Sequence, residues 1–311
     1  MAVMRGEAAI RGDQLISVVI PCYRQAHFLS GAIESVIEQS YPHVEIIVVD
    51  DGSPDDTRKV VARYASVQYV RQRNRGLSAA RNAGLARSRG AYIAFLDADD
   101  RLTPSALADG AHELSAHPAC AFVAGEHRLI DAHGEAVPGV PRERVTNDHY
   151  RELLKGNFIW CPATVLYRRS VFQAVGGFDT SLKSAEDYDM YLRIARLFPV
   201  RAHGEIVAEY RFHSSGMSRN PARMLKFTMK VLRAQRRHVR GTPLEAACLA
   251  GMEAYQALYG MPLIRAIAVH LKRGRWKDVV PESLVALQYH RRAFTTHAYQ
   301  RVCRTIAGAW R

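Results

Sequence analysis

With 311 residues the chain is long enough to bury a full core, in one large domain or two of ordinary size. Its composition, 48% hydrophobic and 23% charged, is that of a globular protein. No apolar run approaches the roughly 20 residues a membrane span needs, and no long apolar leader opens the chain. The five cysteines, at 22, 120, 161, 248 and 303, form neither a disulfide framework nor a Cys-x-x-Cys zinc site, so a cytoplasmic protein is expected.

The net charge of +13 is unevenly placed: residues 1–218 hold 25 Lys+Arg against 26 Asp+Glu, whereas residues 219–311 hold 18 against 4. The basic excess belongs to the last part, which should meet an anionic surface. Two units are therefore expected, over 14–218 and 219–311.

In chain order, the β-branched run over 15–21 reads as a buried strand stopped by Pro21. A helix follows over 30–40, with Ile33, Val36 and Ile37 at helical spacing. Residues 44–49 form a second apolar strand ending in Asp50-Asp51-Gly52-Ser53, before a helix over 55–64. A short strand over 67–70, a helix over 77–88 and a strand over 91–96 continue the alternation. Strand–helix alternation predicts a parallel sheet covered on both faces, with ligands bound at the carboxyl ends of its strands. Asp97-Ala98-Asp99-Asp100 closes the last of these strands at that edge. Asp97 and Asp99, two apart on extended backbone, point the same way and suit gripping a divalent cation through oxygen; a solvated acidic turn is the plain alternative.

The segment Asn74-Arg75-Gly76-Leu77-Ser78-Ala79-Ala80-Arg81-Asn82 opens a helix whose N-terminus can hold an anion. A helix over 104–116, a strand over 120–124 and a polar loop over 131–148 come next. A strand over 163–167 and a short helix lead to the turn Gly176-Gly177-Phe178-Asp179. Glu186-Asp187 opens a helix reaching 198, and a strand over 206–212 precedes His213. Beyond 219 the pattern turns helical, with amphipathic stretches over 222–240, 244–259, 261–273 and 281–297.

Taken together, Val-Ile-Pro21-Cys-Tyr23, Val-Asp50-Asp51-Gly52-Ser53, Asn74-x-Gly76-Leu-Ser78-Ala-Ala-Arg81-Asn82, Asp97-Ala-Asp99-Asp100, Gly176-Gly177-Phe178-Asp179, Glu186-Asp187 and Tyr210-Arg211-x-His213 resemble the blocks of the family 2 glycosyltransferases. These are inverting enzymes of the GT-A fold that use nucleotide-sugar donors. The resemblance covers residues 15–218 and implies an α/β fold, a Rossmann-like and mainly parallel sheet with helices on both faces, followed here by a C-terminal helical extension. It implies that Pro21 and Tyr23 line the nucleobase pocket, with Asp50 accepting from the base beside Asp51. Arg81 would steady the acids and phosphates, Asp97 would bind the ribose or the metal's water shell, and Asp99 with His213 would hold Mn2+ or Mg2+. Asp187 would be the catalytic base, next to Glu186, with the acceptor entering near Gly176 and Gly177. Outside those blocks, Trp160 reads either as a platform for an acceptor sugar ring or as a core aromatic.

The implied reaction moves a hexosyl or hexosaminyl group to a hydroxyl of a glycan or lipid-linked saccharide, in cell-surface polysaccharide synthesis. A sugar-phosphate nucleotidyltransferase is the enzymatic alternative. A nucleic-acid-binding protein is the alternative from charge, but no nucleic acid is expected, since the basic residues lie on amphipathic helices without a recognised module. For residues 219–311 two readings stand side by side: peripheral contact with an anionic membrane on its inner face, or packing on the catalytic part or in a homo-oligomer with the charges solvated.

Overall fold

The computed structural model describes residues 14–139, 144–213, 219–291 and 294. Within it the chain divides into two compact units, one of residues up to Tyr150 with Asn157–His213, the other of Arg151–Gly156 with the chain from Ser214 onward.

The first unit is built on the strands β1 (Ile16–Cys22), β2 (Val44–Asp50), β3 (Val67–Arg71), β4 (Tyr92–Phe95), β5 (Arg101–Leu102), β6 (Phe122–Ile130), β7 (Ala136–Val137), β8 (Val165–Arg168) and β9 (Arg201–Arg211). They form one sheet in the order β3-β2-β1-β4-β8-β6-β9-β5, with β7 paired to β6. The alternating part of the sequence gives the parallel pairs β1–β2, β2–β3 and β1–β4. Beyond β4 the sheet is mixed, because β8 runs antiparallel to both neighbours, and β9 lies parallel to β6 across two bulges. Register brings Cys22 level with Asp50 and Val19 level with Phe95. The acidic segments that follow β2 and β4 therefore emerge at one edge.

The helices of this unit are α1 (Ala26–Ile37), α2 (Thr57–Val61), α3 (Leu77–Arg87), α4 (Ala106–Ala116), α5 (His149–Lys155), which passes into the second unit, α6 (Val171–Val175) and α7 (Glu186–Ala195). Period-2 alternation along β1 serves both faces of the sheet. Val18 and Ile20 join Leu29, Ile33 and Val36 of α1 in one buried cluster. Val19 faces α3, which approaches so closely that a Cβ on Gly84 would lie 2.2 Å from Val19 Cγ1. Phe95 sits edge-on to Tyr167, Phe172 and Phe178, with ring centroids 4.9–6.1 Å away.

The second unit holds α8 (Pro221–Val239), α9 (Glu245–Lys272) and α10 (Trp276–Tyr289). Asn220 caps α8 by accepting from the Arg223 N–H at 2.9 Å. Leu225, Met229, Leu263, Ile267, Val279, Ala286 and Tyr289 form the core between the three. One expectation needs correcting: the helices over 244–259 and 261–273 are one continuous α9, with Pro262 inside it. The stretch directly after the polar loop, for which the sequence reading gives no element, contains α5, whose Leu153 and Leu154 are buried. Positions 140–143 of that loop, 214–218 at the expected boundary, and 292, 293 and 295–297 of the last expected helix lie outside the described residues.

Candidate active site

At the centre of the edge is Arg81, which projects from α3 and is 1% exposed. Its guanidinium divides between two carboxylates: one nitrogen donates to Glu186 Oε1 at 2.6 Å and another to Asp97 Oδ1 at 2.7 Å. The ring of Phe178 lies 5.4 Å from it. Removing three charged groups from water is costly unless they are paired and hydrogen-bonded. The paired acids hold Arg81 firmly protonated against burial. One planar cation thus joins the end of β4 to the start of α7.

The strand end also carries Asp99. Its Oδ2 accepts from Gln25 Nε2 at 2.9 Å and lies 2.9 Å from His213 Nε2. Arg211 fixes the backbone here, donating through Nε to the Asp99 carbonyl at 2.7 Å and through one terminal nitrogen to the Asp131 carbonyl at 2.8 Å. Asp100 turns inward and is buried, accepting from the Arg211 N–H at 2.9 Å and from Cys161 Sγ at 3.2 Å. Burial, reinforced by the Asp99 and Asp97 charges, pushes its carboxyl well up. The three acids of the motif therefore have different surroundings: Asp97 faces Arg81, Asp99 faces His213, and Asp100 anchors β9.

Asp187 occupies the first turn of α7, where a helix N-terminus favours the carboxylate. Burial outweighs that preference and, with the neighbouring Glu186 charge, raises its carboxyl to about 7, although Arg81 opposes the rise. The side chain keeps partial exposure. Its backbone approach is strained: Ala185, immediately before the helix, has φ 58°, a left-handed conformation unfavourable for a residue with a Cβ. Asp187 is thus a partly reachable carboxylate that titrates near neutrality, one residue from the Arg81 bridge.

The other expected site residues are placed as follows. Pro21 is buried in β1 while Tyr23, just beyond it, is exposed under the Arg24 guanidinium. Asp50 accepts from Tyr69 Oη at 2.5 Å and the Ser53 N–H at 2.7 Å. Asp51 accepts from Gln72 Nε2 and from the backbone N–H groups of Arg75 and Gly76 at 2.7–2.9 Å, shaping the loop into α3. Both acids are tied to protein donors rather than to the Arg81 cluster. Asn82 brackets the glycine turn, donating to the Phe178 carbonyl at 2.9 Å and accepting from its N–H at 2.8 Å. A Cβ on Gly177 would lie 2.4 Å from Asn82 Oδ1. Trp160 is exposed and stacks on His127 at 5.8 Å, next in sequence to the Cys161 that binds Asp100.

Gln25, Asn82, Cys161 and Arg211 are site residues for which the sequence reading gave no role. Asn82 and Arg211 stood inside recognised blocks, so their position was signalled; nothing in the sequence singles out Gln25 or Cys161. Asp99 and His213 offer one oxygen and one nitrogen donor at a common point. Among the described residues no group of three or more His, Cys, Asp or Glu side chains converges to hold a metal. The pair fits a divalent ion that takes its remaining positions from water and phosphate oxygens, as Mg2+ commonly does.

Comparison with known proteins gives the family and the fold. An uncharacterized glycosyltransferase of Bacillus subtilis (strain 168), EpsJ, is 28% identical over 268 residues, covering 82% of this chain and 78% of its own. The chondroitin synthase of Escherichia coli is 28% identical over 225 residues, which is 68% of this chain and 31% of the synthase. The chain spans about a third of the length of several curated relatives it matches. A solved structure of the mannosyltransferase PcManGT from Pyrobaculum calidifontis, in complex with GDP-Man and Mn2+, superposes with a TM-score of 0.58 at 18% identity, covering 88% of this chain and 85% of that one. The fold is therefore GT-A. The pattern of Glycosyl transferase family 2 matches residues 17–176, just over half of the chain, and the chain belongs to that family.

Proposed function

We propose that this glycosyltransferase works by a single inverting displacement, with Asp187 as the base, and that Asp99 and His213 would hold the divalent ion that neutralises the donor's diphosphate. The observation that carries the reading is the Arg81 bridge. It ties the strand end bearing Asp97 and Asp99 to the helix start bearing Glu186 and Asp187, so the donor-side acids and the base are set by one rigid group. An acceptor hydroxyl is a poor nucleophile until its proton has somewhere to go. A carboxylate titrating near the working pH takes that proton efficiently while remaining charged in a good fraction of molecules. Opposite-face attack then breaks the anomeric carbon–oxygen bond, and the electrons leave with the diphosphate.

Mn2+ or Mg2+, when bound, supplies positive charge to the leaving diphosphate. Asp99 and His213 would hold the ion, and Asp97, oriented by Arg81, would accept from the donor's ribose or from water in the ion's shell. Pro21, Tyr23, Asp50 and Asp51 frame the nucleobase side. Gly176, Gly177 and Trp160 border the acceptor side. That PcManGT is solved with GDP-Man and Mn2+ supports a nucleotide-sugar donor and a divalent ion here. The similarity to chondroitin synthase supports a saccharide acceptor in polysaccharide synthesis, and the basic second unit would bring the enzyme to an anionic membrane surface.

Thermal denaturation against nucleoside diphosphates and nucleotide sugars, each with and without Mn2+, tests the donor reading. Binding to the folded state alone should raise the apparent stability by about 2.7 kcal/mol at a hundredfold excess over Kd. The expected result is a metal-dependent shift with one nucleotide that is lost in Asp99→Ala. Equal shifts with and without metal would overturn the metal assignment, and no shift with any nucleotide would overturn the donor site.

A further inference from the structure

α10 is apolar on two of its sides. Val279, Ala286 and Tyr289 face the core of the second unit. Trp276, Val280, Leu284 and Leu287 follow one another at spacings of 4, 4 and 3 residues, which places them on a single stripe. These four are 63%, 58%, 62% and 42% exposed. Ordinary solvent-facing helices present polar residues there; scattered exposed apolar residues need no explanation, but a row of four large ones does.

The surroundings indicate what meets the stripe. Lys272, Arg273, Arg275 and Lys277, all exposed, cluster at the α10 N-terminus around Trp276. Of the four acids in residues 219–311, Glu245 pairs with Arg236 and Asp278 with Arg275, while Glu282 is buried beside His270. The field beside the stripe is therefore strongly positive. A protein partner with a matching apolar patch would need no such charge, whereas a bilayer offers hydrocarbon beneath a layer of anionic headgroups. Indole favours that boundary, and a basic cluster beside an apolar stripe is the pattern of a helix lying in the interface plane. Among the described residues no helix is long and apolar enough to cross a membrane, so contact through these residues is with the surface.

We propose that the outer face of α10, through Trp276, Val280, Leu284 and Leu287, inserts into the headgroup layer of an anionic bilayer, with Lys272, Arg273, Arg275 and Lys277 on the lipid phosphates. This rests on the membrane reading of the basic unit and is independent of the donor chemistry.

The test uses the full chain with vesicles of phosphatidylcholine, with and without phosphatidylglycerol, in sedimentation at low and high salt. The wild type should sediment with the anionic vesicles at low salt and lose about tenfold in affinity as salt screens the headgroups. The double variant Val280→Ser and Leu284→Ser adds no charge and removes only exposed side chains. It should keep the wild-type melting temperature and nucleotide-induced shift while losing roughly tenfold or more in vesicle affinity. A folded variant that binds as well as the wild type overturns the assignment of this face. Absence of wild-type binding at low salt overturns both this and the membrane reading, leaving the donor site untouched. A wild-type dimer that the variant dissociates, with no vesicle binding, overturns the proposal in favour of a second copy on the stripe.

Discussion

Asp187 and its neighbours show how one site gives carboxylates of the same chemistry different surroundings. Asp97 and Glu186 share the Arg81 guanidinium, whereas Asp187, beside them, has no ion pair of its own among the described contacts and is raised to about 7 by burial and the Glu186 charge. A base of that character must be ionised to act. With Asp187 as the proposed base, the transfer rate should climb about tenfold per pH unit below 7 and level off above it. Asp187→Asn should lower the rate by about a thousandfold without abolishing nucleotide binding. Stability gives a second readout. A carboxyl raised in the folded state binds more protons there than in the unfolded chain, where its pKa is about 4. It therefore weakens the fold progressively as pH rises from about 4 to 7, and fully above that. Asp187→Asn should accordingly melt higher than the wild type at pH 8, by on the order of 1 kcal/mol or more, with the gain vanishing toward pH 4. A flat rate profile between pH 5.5 and 8, or a variant that melts lower at pH 8, would remove Asp187 from the role of base.

At the scale of the element, α3 does the most to assemble the site. Its N-terminus is shaped by Asp51, Arg81 bridges the acids, Asn82 brackets the Gly177-Phe178 turn, and Gly84 lets the whole helix settle on β1. Ala normally improves a helix over Gly by about 1 kcal/mol. At position 84 the added Cβ would lie 2.2 Å from Val19 Cγ1 and 3.0 Å from Val19 Cγ2, and overpacking of a core costs about 1–3 kcal/mol. Packing should win: Gly84→Ala is expected to lower the melting temperature and, by tilting Arg81, to reduce transfer. Val19→Ala in the same chain should recover both. Independent, additive losses in the double variant would refute the coupling. The acids, Arg81 and the glycine turn could be read in the sequence because they fall in compact blocks at strand and helix ends, where local chemistry is distinctive. Asn82's bracket on Phe178, 96 residues away, and Gln25's bond to Asp99, 74 residues away, depend on tertiary approach that no local pattern carries. α9 was misread for a related reason. Pro262 normally marks a break, but tertiary packing of Leu263, Ile264 and Ile267 holds one continuous helix through it.

For the molecule as a whole, charge placed a division near 218, and the helical texture beyond it was legible from amphipathic spacing. What the sequence did not reveal is that Arg151–Gly156 groups with the C-terminal unit. That excursion is tight: a Cβ on Gly251 of α9 would lie 2.0 Å from the Leu154 carbonyl oxygen, and Leu153 and Leu154 have no exposed surface. A chain cut at 218 keeps every residue of the proposed donor and base sites but removes α9, whose Gly251 lies against the Leu154 and Lys155 backbone. Exposing a buried leucine side chain forfeits about 1.5–3 kcal/mol, so the shortened chain should melt well below the full one and bind a hydrophobic dye in its native baseline. Replacing Leu153 and Leu154 with serine should reduce the dye signal of the shortened chain while destabilising the full one, because the same two side chains are exposed in the first and buried in the second. If the shortened chain instead melts with the full chain and binds no dye, residues 151–156 find equivalent cover within the first unit, and the division at 218 drawn from charge alone is the better account of the architecture.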